Sequence, residues 1–349
     1  MLKFSIKNII FLSTLNASLG FSDSPQFPSG RDLYMMVQVP TLSKIYADGD
    51  EVRASRFTKL FERYLESNPA LPAYFSELKR EDLDTKVEEY LVEKFGESIA
   101  TIRASGKYKN FDTENVKNIN SEVKNWNSSW SWSKAFDANA INTHILAKDL
   151  THVAKGKSQT VYYYFQGNQK YFVRTVNPDF RKNLAYYLIN SEFRFPFFPK
   201  FELVWIRGGA IEGPGIRSAE APGSFPGIDT SFERVVVGLE NIFSTCYLNF
   251  IQGALFFTTY TDAHGDNFSI QKSGAGKGIY FVDFDKGFTL EVSSNYVFTA
   301  PRVTEPREFC AALGNFTTER AKKLLGHVLT PSELSLLDLR RQVLLDGCP

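Results

Sequence analysis

One short run of residues in this chain brings an acidic side chain together with amide and carboxylate oxygens. The run extends from Thr261 to Ile270 and contains Asp262 and Asn267, and Asp283 follows thirteen residues after it. Phosphoryl transfer from ATP needs a carboxylate that orients or deprotonates the attacking group, and oxygen ligands for the metal that bridges the phosphates. The sequence therefore predicts such a site, with Asp262 in the first role and Asn267 and Asp283 in the second.

The flanking sequence predicts the elements that would bring these residues together. The apolar stretch 232–260 is typical of one long buried helix that ends just before the run. The apolar segments 268–270 and 279–282 are separated by a glycine-containing turn at 273–277, which is typical of a β-hairpin. Such a hairpin would return Asp283 to a position beside the run.

The run and the later segment VDFD resemble the catalytic core of the atypical kinases. TDAHGDNFSI is very similar to the catalytic loop of the HipA-type bacterial serine/threonine kinases, and its Asp-x-His-x-x-Asn core is shared with phosphatidylinositol 3- and 4-kinases and the actin-fragmin kinase group. VDFD resembles the metal-binding Asp-Phe-Gly of those lipid kinases, with Asp285 in place of glycine. The resemblance implies that Asp262 is the catalytic base and that Asn267 and Asp283 are metal ligands, while His264 is either catalytic or structural. The alternative is an ordinary Asp- and Asn-rich turn between a helix and a strand.

The sequence before the apolar stretch indicates where the nucleotide would bind. Lys157 and Ser158 lie in a small, polar segment before a predicted hairpin, whose strands 160–165 and 170–176 are joined by a Gly-Asn turn. Backbone N–H groups of such a segment can approach the phosphates of ATP, and its position resembles that of the phosphate loop of this kinase superfamily. The alternative is a plain turn, because the segment lacks the upstream glycine of a Walker A loop.

A kinase N-lobe also needs a basic residue on its third strand, to hold the α- and β-phosphates, and an acidic partner on the following helix. The resemblance places Arg174 at the expected lysine and Asn183 at the expected glutamate, so the chain departs from the family twice. Lys170 lies on the same strand face as Arg174, since residues four apart in a strand point the same way, and either side chain could reach phosphate. Asp179 or Glu192 could supply the missing acid. The implied cofactors are ATP and Mg²⁺ or Mn²⁺.

The length of 349 residues is enough for a kinase-like domain with an extension. The predicted fold class is α+β, a two-lobed protein-kinase-like fold with an N-terminal all-helical extension. Residues 1–22 have the outline of a signal peptide, or of a disordered N-terminus. Residues 23–138 predict a helical region with strong helical periodicity in 51–95, residues 139–207 an N-lobe, and residues 208–349 a C-lobe.

Charge, hydropathy and cysteine content exclude several kinds of partner. A net charge of +1 with dispersed basic residues lacks the electrostatic footprint of nucleic-acid binding. No segment after the N-terminus reaches the ~18 uninterrupted apolar residues expected of a transmembrane helix. Cys246, Cys310 and Cys348 are widely separated and odd in number, so neither a disulfide scaffold nor a zinc site is indicated, and buried or incidental thiols are expected.

Two features of the sequence bear on the compartment. The N-terminal outline favours export, whereas Asn267-Phe268-Ser269 forms a glycosylation sequon, and a glycan on Asn267 would destroy the metal ligand. Together they favour a bacterial protein that is exported or secreted into a host over one that passes through a eukaryotic secretory pathway. A cytoplasmic location is the alternative.

Three further predictions concern the frame around the site. Segment 208–229 contains six Gly and three Pro, which predicts a linker without a regular element. Trp126, Trp130 and Trp132 are expected to dock the helical region onto the next domain, with a partner-binding surface as the alternative. Thr330 begins the last helix as an N-cap, because Pro follows at N1 and Glu at N3.

The predicted function is metal-dependent transfer of the γ-phosphate of ATP to a hydroxyl. Because the run is most similar to HipA-type kinases, a protein serine or threonine is the favoured acceptor. An inositol lipid or inositol phosphate is the rival, since VDFD and the strand-and-helix pair are more similar to the lipid kinases. A pseudokinase scaffold, favoured by Arg174, Asn183 and Asp285, and a kinase-like protein that transfers AMP are further alternatives. A bacterial effector that uses a host factor would fit the compartment features.

Overall fold

Helices and strands are mixed along the chain in an α+β arrangement. The computed structural model describes residues 82–104, 113–153, 161–175, 180–260, 263–284, 287–288 and 307–348. The described helices, in chain order, are α1 Leu83–Phe95, α2 Ile99–Ala104, α3 Thr113–Ser129, α4 Phe180–Phe193, α5 Phe232–Leu239, α6 Thr245–Thr258, α7 Arg307–Asn315, α8 Thr318–Leu325 and α9 Pro331–Leu345. The described strands are β1 Thr143–Leu146, β2 Thr151–His152, β3 Val161–Gln166, β4 Gln169–Thr175, β5 Phe201–Arg207, β6 Gly213–Ala219, β7 Gly227–Ser231, β8 His264–Gly265, β9 Phe268–Gln271 and β10 Gly278–Phe281.

Part of the predicted helical N-terminal region can be compared with the structure. Helix α1 covers the second half of the periodic segment 51–95, and it buries Val87, Tyr90 and Leu91 as the spacing predicts. Residues 1–81, with the signal-peptide segment and the first predicted helix, lie outside the described residues. Within the described ranges, none of the helices has both the length and the hydropathy needed to cross a bilayer.

Six strands form the main sheet, in the order β1-β5-β6-β4-β3-β2. Strand β1 runs parallel to β5, and the other neighbours are antiparallel. The predicted hairpin is confirmed: β3 and β4 are joined at Gly167, which has a φ of 61°. Glycine adopts this left-handed conformation without a steric penalty, which explains why the turn signal was a reliable one. The hairpin is followed by α4, so the strand-and-helix pair of the sequence is also present.

The prediction of an irregular linker over 208–229 is wrong, because β6 and the start of β7 lie within it. Strand β6 is central and pairs with β5 on one side and β4 on the other. At Gly215 an added Cβ would lie 3.1 Å from the Arg174 carbonyl oxygen and 3.3 Å from the side chains of Ile206 and Val173. A glycine there allows the neighbouring strands to approach closely. Pairing on both sides outweighs the low strand propensity of the segment.

The prediction of one helix over 232–260 is also wrong, since α5 ends at Leu239 and α6 begins at Thr245. Ser244 is the N-cap of α6, and its hydroxyl accepts a hydrogen bond from the Tyr247 backbone N–H. A serine cap stabilises a new helix start. The apolar residues on both sides of the break are buried in one core, so hydropathy alone does not reveal it.

The tryptophans dock α3 and the segment after it onto the rest of the fold. The Trp130 indole N–H donates to the His327 carbonyl oxygen at 2.8 Å, and its ring lies 6.3 Å from that of Phe180 at the start of α4. Trp132 meets Trp205 of β5 edge to face, with ring centroids 5.4 Å apart. The docking role is therefore confirmed for Trp130 and Trp132.

The C-terminal helices contain one confirmed prediction and one error. Thr330 caps α9 in a full capping box with Glu333, as its sequence predicts. The expectation of thiols is wrong for two of the three cysteines: Cys310 of α7 is bonded to Cys348, which follows α9, and their Cα atoms are 5.8 Å apart. The two lie 38 residues apart in sequence. Only the packing of α7 against α9 brings them together, whereas Cys246 keeps its thiol.

Candidate functional site

The hairpin formed by β9 and β10 brings two of the predicted metal ligands to one place. Phe281 pairs with Phe268 at the open end of the hairpin. One residue further on, the Val282 N–H donates to the Asn267 carbonyl oxygen at 2.9 Å. Asp283 is the next residue, so it stands beside Asn267 as the sequence predicts. The hairpin itself is confirmed.

Asn267 is held in place by His264. Its backbone N–H donates to the His264 carbonyl oxygen at 2.8 Å, and its amide Nδ2 lies 3.1 Å from His264 Nε2. The Asp266 N–H faces the other ring nitrogen at 3.3 Å. A neutral imidazole accepts at only one nitrogen. Because Nδ1 accepts from the Asp266 N–H, a neutral ring carries its proton on Nε2, the nitrogen that faces the Asn267 amide. This arrangement fits the structural role of the two implied for His264.

Arg174 near the end of β4 reaches the same segment. Its Nη2 donates to the Val282 carbonyl oxygen at 2.6 Å and lies 3.4 Å from Asp283 Oδ1. The Arg174 side chain is 14% exposed and that of Asp283 is 29% exposed, so the pair is partly shielded from water. The basic residue at the expected lysine position is therefore in contact with the expected metal-binding carboxylate.

Lys170, the second basic candidate, is engaged at the other end of β4. Its Nζ lies 3.0 Å from Glu220 Oε1, and it stands 5.1 Å and 4.7 Å from the ring centroids of Tyr163 and Phe172. Four strand residues separate it from Arg174 by about 13 Å. Of the two predicted phosphate ligands, only Arg174 contacts the VDFD segment in this structure.

The acid missing from α4 is not replaced by Glu192. Glu192 accepts from Arg320 of α8 at 2.6 Å, and Asn183 is buried within α4. The carboxylate beside Arg174 is that of Asp283. Five other residues named by the sequence lie outside the described residues: Lys157, Ser158, Asp179, Asp262 and Asp285.

A residue that the sequence did not single out, Tyr186 of α4, supports the segment after Asp283. Its buried ring lies 4.5 Å from the ring of Phe284 and 4.8 Å from that of Phe288. A Cβ on Gly287 would come within 2.3 Å of the same ring, so only glycine fits between the segment and α4. Phe288 has a φ of 59°, and its N–H donates to the Thr258 carbonyl oxygen at 2.8 Å. The sequence signal for this close packing against Tyr186 was Gly287, four residues after Asp283.

A separate polar cluster lies on the opposite face of the main sheet. Arg217 pairs in register with Val173, next to Arg174, so the two arginines point to opposite faces. Arg217 donates to Glu202 at 2.6 Å and stacks over Tyr171. Burial opposes ionisation of Glu202, but hydrogen bonds from Thr143 and Arg217 and nearby positive charge outweigh it and lower the Glu202 pKa.

The described site residues fit a hard divalent cation. Mg²⁺ and Mn²⁺ prefer carboxylate and amide oxygens, which Asp283 and Asn267 carry. In the part of the chain that the structure describes, no three His, Cys, Asp or Glu side chains form a metal-binding cluster. Among the described residues, the predicted ligands are one carboxylate and one amide, and Mg²⁺ commonly completes such a set with water and phosphate oxygens.

Relatives of known activity do not identify this site. The sequence matches no model of a known protein family, and no curated protein is significantly similar to it. Its chemistry is therefore inferred from the residues themselves and from their geometry.

Proposed function

We propose that the protein is an atypical kinase with a two-lobed kinase-like fold, which transfers the γ-phosphate of ATP to a hydroxyl. The observation that carries this proposal is the contact between Arg174 and Asp283. Arg174 lies on β4, the third strand of the antiparallel group β2 to β4, and helix α4 follows that strand. Its partner Asp283 follows the β9–β10 hairpin. In kinases, a basic residue of the third strand binds the phosphates, and an aspartate of a later segment binds the metal that bridges them.

Each residue of the proposed site has a defined task. Asp262 accepts the proton of the attacking hydroxyl, and Arg174 binds the phosphates as a two-pronged donor. Asn267 and Asp283 would hold Mg²⁺ or Mn²⁺, which when bound neutralises charge on the β- and γ-phosphates. Backbone N–H groups around Lys157 would also contact the phosphates. Little covalent chemistry remains for the protein beyond positioning and proton transfer.

The acceptor proposed is a serine or threonine of a protein, with an inositol lipid or inositol phosphate as the rival. The main competitor from another class is a pseudokinase scaffold. One observation favours it: the Arg174 guanidinium stands beside the principal metal ligand, where a cation competes with a metal ion. Transfer of AMP by the same residues is a third outcome.

The proposal is tested with ATP labelled separately at the α- and γ-phosphates, in Mg²⁺ or Mn²⁺, with proteins and inositol-lipid vesicles as acceptors. Label from the γ-phosphate should be lost in Asp283→Ala and Asn267→Ala. It should be retained in Asp266→Ala, because that exposed carboxylate lies beside the site without a proposed role. Label from the α-phosphate would mean AMP transfer. ATP binding without any transfer, also after cell extract is added to supply a host factor, would favour the scaffold.

We also propose that the protein is exported from a bacterial cell, and a disulfide supports this in addition to the N-terminal sequence. Structural disulfides persist mainly in oxidising compartments, and the Cys310–Cys348 bond supports such a location. Alkylation of protein taken directly from its source, before any exposure to air, should then label one thiol, that of Cys246. Labelling of all three would place the chain in a reducing compartment.

A further inference from the structure

The Arg174 side chain is positioned to control the carboxylate that would bind the metal. Its Nη2 donates to the Val282 carbonyl oxygen at 2.6 Å, which fixes the guanidinium next to Asp283 Oδ1, 3.4 Å away. Both side chains are largely shielded, so salt and water weaken their attraction less than at an open surface. The residue is therefore bound to the metal-binding segment itself.

In the proposed site, the Asp283 carboxylate is the ligand of two cations, the Arg174 guanidinium and the metal ion. Asn183 stands on α4 where the resemblance expects a glutamate, and Arg174 forms its ion pair with Asp283 instead. A divalent ion such as Mg²⁺ binds carboxylate oxygen at about 2.0–2.1 Å. A guanidinium and such an ion on one carboxylate would repel each other strongly at this distance. The nucleotide-free site should thus bind a metal weakly.

The phosphates of a nucleotide would remove this repulsion between the guanidinium and the metal ion. Arginine binds phosphate through two parallel charge-assisted hydrogen bonds, which are stronger than its bond to a carbonyl oxygen. When phosphate takes over the guanidinium, Asp283 becomes available to the metal. By linkage, a nucleotide that raises metal affinity in this way has its own affinity raised by the metal to the same extent.

We infer that Arg174 is a counter-ion lock on Asp283, which keeps divalent metal out of the nucleotide-free site and releases it when phosphate binds. The inference rests on the proposed function and deepens it, because it assigns Arg174 a positioning role in ordering metal and nucleotide. Metal ions also bind ATP in solution, so the lock has to be measured without nucleotide.

The test is Mn²⁺ binding to the nucleotide-free full chain, followed by the electron-spin signal of free Mn²⁺. Arg174→Gln should bind Mn²⁺ at least tenfold more tightly than the wild type, within the usual range of coupling between sites. Arg174→Lys keeps the charge and should remain weak. Lys272→Gln removes a positive charge at the far end of the β9–β10 hairpin and should change the affinity less than twofold. Equal affinity of Arg174→Gln and wild type, with both variants folded, overturns the lock.

Two further results separate this inference from the proposed kinase activity. Adding Asp283→Asn to Arg174→Gln should abolish the gained Mn²⁺ affinity, since Asp283 is the ligand released. Gained affinity without transfer of γ-phosphate in the wild type would retain the lock and refute the kinase. Transfer of γ-phosphate by the wild type, without gained Mn²⁺ affinity in Arg174→Gln, would retain the kinase and refute the lock. If Arg174→Gln does not fold, tight Mn²⁺ binding by the nucleotide-free wild type alone refutes the lock.

Discussion

Replacing Glu333 with glutamine should destabilise this fold more than any comparable change at an exposed ion pair. Glu333 of α9 binds Arg181 of α4 through two parallel bonds, of 2.6 Å and 3.1 Å, and both side chains are 0% exposed. Arg181 also donates to Asn127 and to the Val328 carbonyl oxygen. The Thr330 N–H donates to the same carboxylate at 2.8 Å. The pair thus joins three parts of the chain.

The magnitude follows from this burial. Glutamine has the shape of glutamate without its charge, so Glu333→Gln would leave the Arg181 guanidinium buried among neutral acceptors. Removing one partner of a buried ion pair costs about 3–5 kcal/mol, because the other charge is left uncompensated. The matched control is Glu192→Gln, in α4, the helix that also contains Arg181. Its pair with Arg320 has a bond of the same 2.6 Å length, but the side chains are 26% and 52% exposed, respectively. Exposed pairs contribute about 0–1 kcal/mol.

The free energy of unfolding would be measured by urea titration, followed by tryptophan fluorescence and by circular dichroism. Trp130 is a local reporter, because its indole donates to the His327 carbonyl oxygen, one residue before an acceptor of Arg181. High salt should weaken the effect of Glu192→Gln and leave that of Glu333→Gln nearly unchanged. The double variant Arg181→Met/Glu333→Leu should recover much of the loss, since no charge remains buried.

The reasoning is refuted if Glu333→Gln costs less than about 1 kcal/mol, the range of an exposed pair. The same holds if the effect of Glu333→Gln falls with salt as steeply as that of Glu192→Gln. Either result would mean that water reaches the Arg181 guanidinium in solution.

Three other changes have definite expected outcomes. Gly287→Ala should destabilise the fold by about 1–3 kcal/mol and weaken nucleotide binding, because its Cβ would overlap the Tyr186 ring. Reduction of the Cys310–Cys348 disulfide should lower the urea midpoint by the equivalent of about 3–4 kcal/mol, the chain-entropy value for a loop of this length. Glu202→Gln should be destabilising at neutral pH. Because the folded pKa of Glu202 is lowered, its contribution is present above the ordinary value of 4.5 and is lost as the pH falls through the lower folded value.

The first two outcomes have controls in the same chain, and the third has a pH dependence that can contradict it. Gly314→Ala lies in helix α7 with open space around the new methyl group, and it should stabilise rather than destabilise. A stabilising Gly287→Ala would contradict the packing seen at Tyr186. Cys246→Ser should leave the response to reductant unchanged, whereas Cys348→Ser should abolish it. A difference between Glu202→Gln and wild type that stays constant down to pH 3 would show that this carboxylate is not stabilised by folding.

The elements that could be predicted from sequence are those whose causes are local. The β3–β4 and β9–β10 hairpins have glycine-containing turns between apolar strands, and the cap of α9 is contained within Thr330 to Glu333. The juxtaposition of Asn267 with Asp283 was predictable for the same reason, since one hairpin connects them.

The remaining features depend on contacts between distant parts of the chain. Strand β6 forms despite its two glycines and its proline because β5 and β4 pair with it on both sides. The ion pair of Arg181 with Glu333 spans 152 residues, and the contact of Arg174 with the Val282 carbonyl oxygen spans 108. No periodicity or spacing encodes such a partner. The sequence could therefore name Arg174 as a basic site residue without revealing that Asp283 would neutralise it.

Helix α4 is tied by an ion pair to α9 rather than to β4. In the kinases that the sequence resembles, an ion pair ties the helix to the phosphate-binding strand. Here α4 is tied through Arg181 to α9, and Arg174 of β4 is tied to the metal-binding segment instead. Helix α4 is therefore held in position without an ion pair to Arg174. On the proposed function, a phosphate ligand that competes with Asp283 for Arg174, rather than a movement of the helix, would change the partner of Arg174.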